Sequence, residues 1–275
     1  SSSYNKGMLV SHESPISFLE ESRNYNDYDY ALVHLFETHP EYYSFFKVSK
    51  TLGREVLLDN SIFELGEAFD TKKFVKYVKE LEPTYYVVPD VLEDSQKTMS
   101  SFHKFLIDYS DLPGLKIGVV QGKTYQELVD CYMYMAKMAD YIAISFDYSW
   151  YDTVTQSRSE TNKKFYTLEK QSKGRRRLIN MLQEDLVWNY NKPHHLLGCS
   201  LASEFKHYTW DKSIRSLDTS NPVVAGILNK RYLRGIGLLD KPSVLLADLI
   251  TSELNEEQEK DILYNVDEFK NLLRS

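Results

Sequence analysis

Glu55-Val56-Leu57-Leu58-Asp59 and Ser213-Ile214-Arg215-Ser216-Leu217-Asp218 share one pattern, a short strand-like run that stops on an aspartate. Between them, Val87-Val88-Pro89-Asp90 ends on an acid and Gly118-Val119-Val120-Gln121-Gly122 on an amide followed by glycine. Working outward, the strand-like runs number eight: 7–11, 29–35, 55–59, 85–90, 116–121, 141–146, 195–199 and 212–218. Several are continuously apolar, as strands buried on both faces must be. The stretches between them carry helical periodicity. Residues 71–81 put Phe74, Val75, Val78 and Leu81 on one face, and 123–139 do the same with Leu128, Cys131, Tyr132 and Met135. Alternation of this kind specifies an α/β fold, and eight repeats favour a single (β/α)8 TIM-like barrel spanning 1–275 over an open sheet.

Two regions depart from the rhythm. Residues 147–193 make an insertion between strands six and seven, far longer than one crossover, and 239–275 follow the eighth strand as a helical C-terminal tail. No domain boundary is read anywhere in the chain.

The composition fits this picture and narrows the functions available. With 42% hydrophobic and 27% charged residues, the 275-residue chain can bury a full core and is not generally disordered. No apolar run reaches the roughly 20 residues that span a bilayer, and no signal-like segment opens the chain. Cys131 and Cys199 are too few and too far apart for a disulfide framework or a tetrahedral metal site. The expectation is therefore a cytoplasmic protein without membrane contact, metal or cofactor. A net charge of −7 argues against a surface basic all over, while a local patch still suffices for phosphates. The 21 tyrosines offer stacking faces for bases, although AT-rich codon usage accounts for them equally.

In a parallel barrel the strand C-termini share one rim, where catalytic groups sit. Asp59 and Asp218 are thus candidate acid/base and nucleophile, although each in isolation serves equally as a cap on the following turn or helix. Phe63 offers a stacking face. Asp90 and Gln121 would suit the hydrogen-bonding edge of a purine-like base, with Gly122 and Gly198 allowing close backbone approach and Leu197 lining the pocket. Cys199 reads as structural, because His194 and His195 stand at the start of their strand, toward the opposite face. Positive charge gathers at 173–177, including Arg175 and Arg176, and at Lys230, Arg231 and Arg234 behind Asp218. These are candidate phosphate contacts or solvated helix faces.

As an ordered set, these stretches resemble the tRNA-guanine transglycosylase superfamily. That family carries Asp-Ser-Gly-Gly-Phe-Gln, an aspartate, Val-Gln-Gly, Leu-Met-Gly-Val-Gly and a final aspartate after strands three, four, five, seven and eight. Here the matching residues are Asp59-Asn60-Ser61-Ile62-Phe63-Glu64, Asp90, Val120-Gln121-Gly122, Leu196-Leu197-Gly198-Cys199-Ser200 and Asp218, over roughly 55–220. The resemblance implies that Asp218 attacks C1′ of a target nucleotide and displaces guanine. Asp59 would then handle protons for both bases, Asp90 and Gln121 would read the base edge, and Phe63 would stack on it. Departures are clear: Ser61-Ile62 replace a glycine pair after strand three, and Ile144-Ser145 replace another after strand six. No cysteine follows Cys199, so the family's structural zinc site is not expected. The compact, zinc-free pattern is similar to phage and bacterial enzymes that install 7-deazaguanines, such as a preQ0-like base, in DNA, which favours DNA over tRNA as partner. An RNA-acting transglycosylase, a barrel nucleosidase or glycosidase on small substrates, and an inactive nucleic-acid-binding relative are the alternative expectations.

Overall fold

The computed structural model describes residues 7–154, 163–240 and 242–274. Eight parallel strands run β1 Leu9–His12, β2 Asp29–Leu32, β3 Val56–Asp59, β4 Tyr85–Val87, β5 Leu115–Val119, β6 Tyr141–Ser145, β7 His194–Leu197 and β8 Ile214–Thr219. They pair in the order β1-β8-β7-β6-β5-β4-β3-β2, so β2 to β8 each pair with their sequence neighbours and β8 returns to β1. This is the nearly closed (β/α)8 barrel that the alternation predicts.

The remaining seam lies between β1 and β2. There the β1 edge is satisfied by the segment before β2 rather than by a ladder. Asp27 N–H donates to Val10 O, and the Asp27 carboxylate accepts from Val10 N–H at 2.9 Å. Asn26 both accepts from His12 N–H (2.7 Å) and donates to His12 O (3.0 Å). Side chains thus stand in for missing strand partners, as buried backbone groups require.

The helices form where the periodicity places them. Thr71–Leu81 is capped by Asp70, whose carboxylate accepts from Lys73 N–H, and buries Phe74, Val75, Val78 and Leu81. Tyr125–Met138 is capped by Thr124 and buries Leu128, Cys131, Tyr132 and Met135. Between β6 and β7, a short helix Tyr151–Val154 precedes the 22-residue helix Lys163–Glu184. Gly174 lets this long helix close on Tyr151, since a Cβ there would collide with the Tyr151 side chain. The C-terminal tail is helical at Leu246–Leu249 and Glu256–Arg274, but residues 239, 240 and 242–245 form no helix. Glu256–Arg274 seats Ile262, Val266 and Phe269 against the rest of the molecule, and Gly226 permits its approach to Ile262. No helix among the described residues is long and apolar enough to cross a membrane.

The barrel interior is rich in polar side chains. Tyr28, Tyr30, Tyr141, His195 and Ser216 are all buried, and Tyr28 donates to Leu217 O at 2.6 Å. Much of the unusual tyrosine content is therefore structural.

Candidate active site

Asp59 and Asp218 close β3 and β8, and the register places both at the C-terminal rim, with Asp59 opposite Leu32 and Asp218 opposite Ser11. Both side chains are nearly buried. Burial is the main force raising the Asp59 pKa well above the usual carboxylate range, followed by the charges of Glu64, Asp218 and Asp90; Ser61 N–H, which donates to Asp59 Oδ2 at 3.3 Å, opposes the rise. The charges of Glu64, Asp218 and Asp90 all act on Asp59, as carboxyls gathered near one mouth would.

Ser61 sets the local geometry. It stands at φ +62°, in the left-handed region that a non-glycine residue rarely adopts. His34 braces it: His34 N–H donates to Ser61 Oγ (3.2 Å), and His34 Nδ1 shares a 2.7 Å hydrogen bond with the same oxygen. The turn directs Phe63 and Glu64 outward. Much of the Glu64 side chain is open to solvent, yet burial of its carboxyl and the Asp218 charge push its pKa up to about 7. Phe63 is 56% exposed and meets Phe146 edge to face, ring centroids 5.4 Å apart.

Asp90 and Gln121 are brought together, but first of all with each other. Asp90 Oδ1 accepts from Asn60 Nδ2 and its Oδ2 from Gln121 Nε2, both at 2.8 Å, while Gln121 Oε1 accepts from Glu93 N–H at 2.9 Å. The loops after β3, β4 and β5 are thereby tied into one unit. Burial raises the Asp90 pKa, against the lowering effect of its two amide donors. The carboxylate keeps lone pairs beyond these two bonds. The Gln121 side chain is committed at both ends.

The two glycines read as backbone openings have another duty. A Cβ on Gly122 would strike Glu127 Cβ and Leu128 N at 2.9 Å, so Gly122 makes room for its own helix. Gly198 stands at φ +74°, and a Cβ there would collide with the Phe146 ring; the space it leaves is filled by Phe146. Leu197, half-buried at the end of β7, accepts from Phe146 N–H through its carbonyl (2.9 Å).

Asp218 holds the most specific contacts. Its Oδ2 accepts from His195 Nε2 at 2.8 Å and from Gly198 N–H at 3.4 Å. The placement of His195 toward the opposite face is therefore corrected. β7 begins at His194, and the alternation of side chains turns His195 into the barrel while His194 packs outward on Trp188, with stacked rings 3.8 Å apart. His195 is the residue that sequence reasoning missed. The available signal was period two: Asp218 inward makes Ser216 inward, and Ser216 pairs in register with His195. Cys199 is buried, in keeping with a structural role.

Arg175 is also corrected. It is fully buried and cannot reach a nucleic-acid phosphate. Its guanidinium bonds Glu204 through Nε (2.7 Å) and Nη2 (3.0 Å), and donates to Leu197 O and Gly198 O at 2.9 and 3.1 Å. It is a strut under the β7 rim, not a surface contact. Arg176 is partly exposed, whereas Lys173 pairs with Glu169 at 2.5 Å. Lys230, Arg231 and Arg234 are exposed as expected. Arg231 also pairs with Asp261 (2.7 Å) and lies over the Tyr264 ring. The turn that carries them is pinned beside the β7 and β8 loops, because Tyr232 donates to Asn221 Oδ1 and Lys206 donates to Gly235 O.

Among the described residues, no three His, Cys, Asp or Glu side chains converge as metal ligands would. Comparison of the chain with known protein families and with curated proteins finds no match.

Proposed function

We propose that the chain is a nucleic-acid base-exchange transglycosylase, replacing guanine with a 7-deazaguanine base, with DNA favoured over tRNA. The observation that carries the reading is the pairing of unlike carboxyls at one rim. Burial and the neighbouring negative charges raise the Asp59 pKa and so favour its protonated form, while Asp218 is gripped on one oxygen by two donors. Two carboxyls in such unlike surroundings at one rim suit an acid/base and a nucleophile. The ordered resemblance of residues 55–220 to the tRNA-guanine transglycosylases supports the substrate class.

In the reaction, an Asp218 oxygen attacks C1′ as the C1′–N9 bond breaks, and the departing guanine takes a proton from Asp59. The incoming base then loses its N9 proton to Asp59, attacks C1′ and breaks the ester bond, restoring both carboxyls. The reacting nucleotide must leave its stack to reach the rim. Exposed Phe63 supplies a face for it, and Lys230, Arg231 and Arg234 supply phosphate contacts.

Labelled guanine incubated with the protein and either duplex DNA or tRNA tests the proposal. Incorporation into polymer is expected, greater with DNA. Hydrolysis of free nucleosides with no incorporation would replace the reading with a small-molecule nucleosidase, and binding without any turnover would mark an inactive relative.

A further inference from the structure

His195 and Gly198 both bind the same oxygen of Asp218, and this asymmetry has a chemical meaning. Among the described residues Asp218 Oδ1 has no hydrogen-bond donor, while Oδ2 has two. His195 is itself fixed from every side. Its Nδ1 lies 2.7 Å from Ser216 Oγ, which lies 2.5 Å from Tyr141 Oη. Tyr30 stacks parallel to the imidazole, and Tyr28 and Tyr141 meet it edge-on.

The hydrogens along this chain can be assigned. Burial keeps the Tyr141 phenol protonated, raising its pKa above the ordinary value, and Ser216 is the acceptor it reaches. If His195 Nε2 holds the ring hydrogen, the neutral imidazole accepts at Nδ1 from Ser216 Oγ–H, and the Ser216 oxygen is left to accept from Tyr141. A carboxylate can only accept, so His195 Nε2 carries the hydrogen toward Asp218.

We infer that His195 is a positioning residue that assigns different tasks to the two oxygens of Asp218, with Oδ1 the attacking atom and Oδ2 the held one. The inference rests on the transglycosylase reading. When Oδ1 bonds C1′, Oδ2 becomes the ester carbonyl oxygen, already seated against His195 Nε2–H and Gly198 N–H. When the incoming base breaks the C1′–Oδ1 bond, the electron pair returns to the carboxyl and charge grows on Oδ2, where these two donors meet it. His195 thus acts chiefly on release of the covalent intermediate. A donor that only propped the fold would slow formation and release alike.

The test measures the two half-reactions separately in wild type, His195→Phe and His195→Gln. Phe keeps a ring without a donor, and the Gln amide can again present N–H near Nε2. Expected is release of the intermediate slowed about 10²–10³-fold in His195→Phe, with adduct accumulating, and most of the rate regained in His195→Gln. Release at the wild-type rate in His195→Phe, or equal defects in both variants and both half-reactions, would overturn the inference. A wild-type protein that forms no adduct would instead remove the reading beneath it. Nitrogen NMR of the histidines gives a second measurement, independent of turnover and of how the His195 variants fold. The Nε2–H form of His195, perturbed by Asp218→Asn, is expected; an Nδ1–H form would overturn the assignment.

Discussion

Asp59 owes its proposed role to where the chain turns after β3. The left-handed Ser61, held by His34, folds the loop back so that Glu64 and Asp59 share one mouth with Asp218. Asp59→Asn removes the exchangeable proton and nearly preserves shape, so it should slow base exchange about 10²–10⁴-fold while still allowing adduct to form. Single-turnover exchange measurements would show it, and an unaffected rate would assign the proton to another group. The same raised acids leave a mark on stability. A carboxyl whose folded pKa is raised binds more protons folded than unfolded, so it supports the fold at low pH and that support is lost as pH climbs through the folded value. With Glu64 raised to about 7 and Asp59 also raised, thermal stability should fall between about pH 5 and 8. Glu64→Gln should flatten that decline in a pH series of melting curves. An identical slope in the variant would show that the Glu64 carboxyl titrates elsewhere.

At the scale of elements, the long helix Lys163–Glu184 does more than cover the barrel. One face of it drives Arg175 under the β7 rim, where Glu204 neutralises it and the carbonyls of Leu197 and Gly198 use its remaining donors. Removing one partner of such a buried pair leaves an uncompensated charge, so Arg175→Met should cost about 3–5 kcal/mol in denaturant unfolding; a loss below about 1 kcal/mol would mean that water reaches Glu204. The segment after β8 offers its charges differently. Lys230 and Arg234 are exposed at its surface, while Arg231 is shared with Asp261. Reversing Lys230 and Arg234 to glutamate should weaken nucleic-acid binding with little sequence preference. It should also reduce the dependence of log affinity on log salt by about one unit for each phosphate no longer neutralised. Equal affinity and an equal salt slope in the double variant would place the polymer on another face.

For the molecule as a whole, the barrel was legible because several of its strands are continuous apolar runs, such as Val56-Leu57-Leu58 and Ile142-Ala143-Ile144. The rim followed from topology: once eight strands share a direction, Asp59, Asp90, Gln121 and Asp218 have to gather at one end. What pattern could not give was the pairing of individual side chains. Gln121 and Asp90 were legible as rim residues but not as each other's partners, since that depends on loop geometry. Arg175 was lost in a basic run because composition does not say which face of a helix looks inward, and the one buried cation in a charged stretch looks like its neighbours. His195 was set aside because it stands at the start of its strand, whereas its ring turns into the barrel centre, which tyrosine, serine and histidine fill and where they satisfy one another.

Covalent bonding of Asp218 to a nucleic-acid sugar can be detected directly. The protein is mixed with duplex DNA, quenched in denaturant before the second base arrives, digested, and its peptides weighed. A nucleotide adduct is expected on the peptide containing Asp218 and none from Asp218→Asn, which should also fail to exchange base. An adduct on another residue, or full exchange by Asp218→Asn, would contradict that role for Asp218.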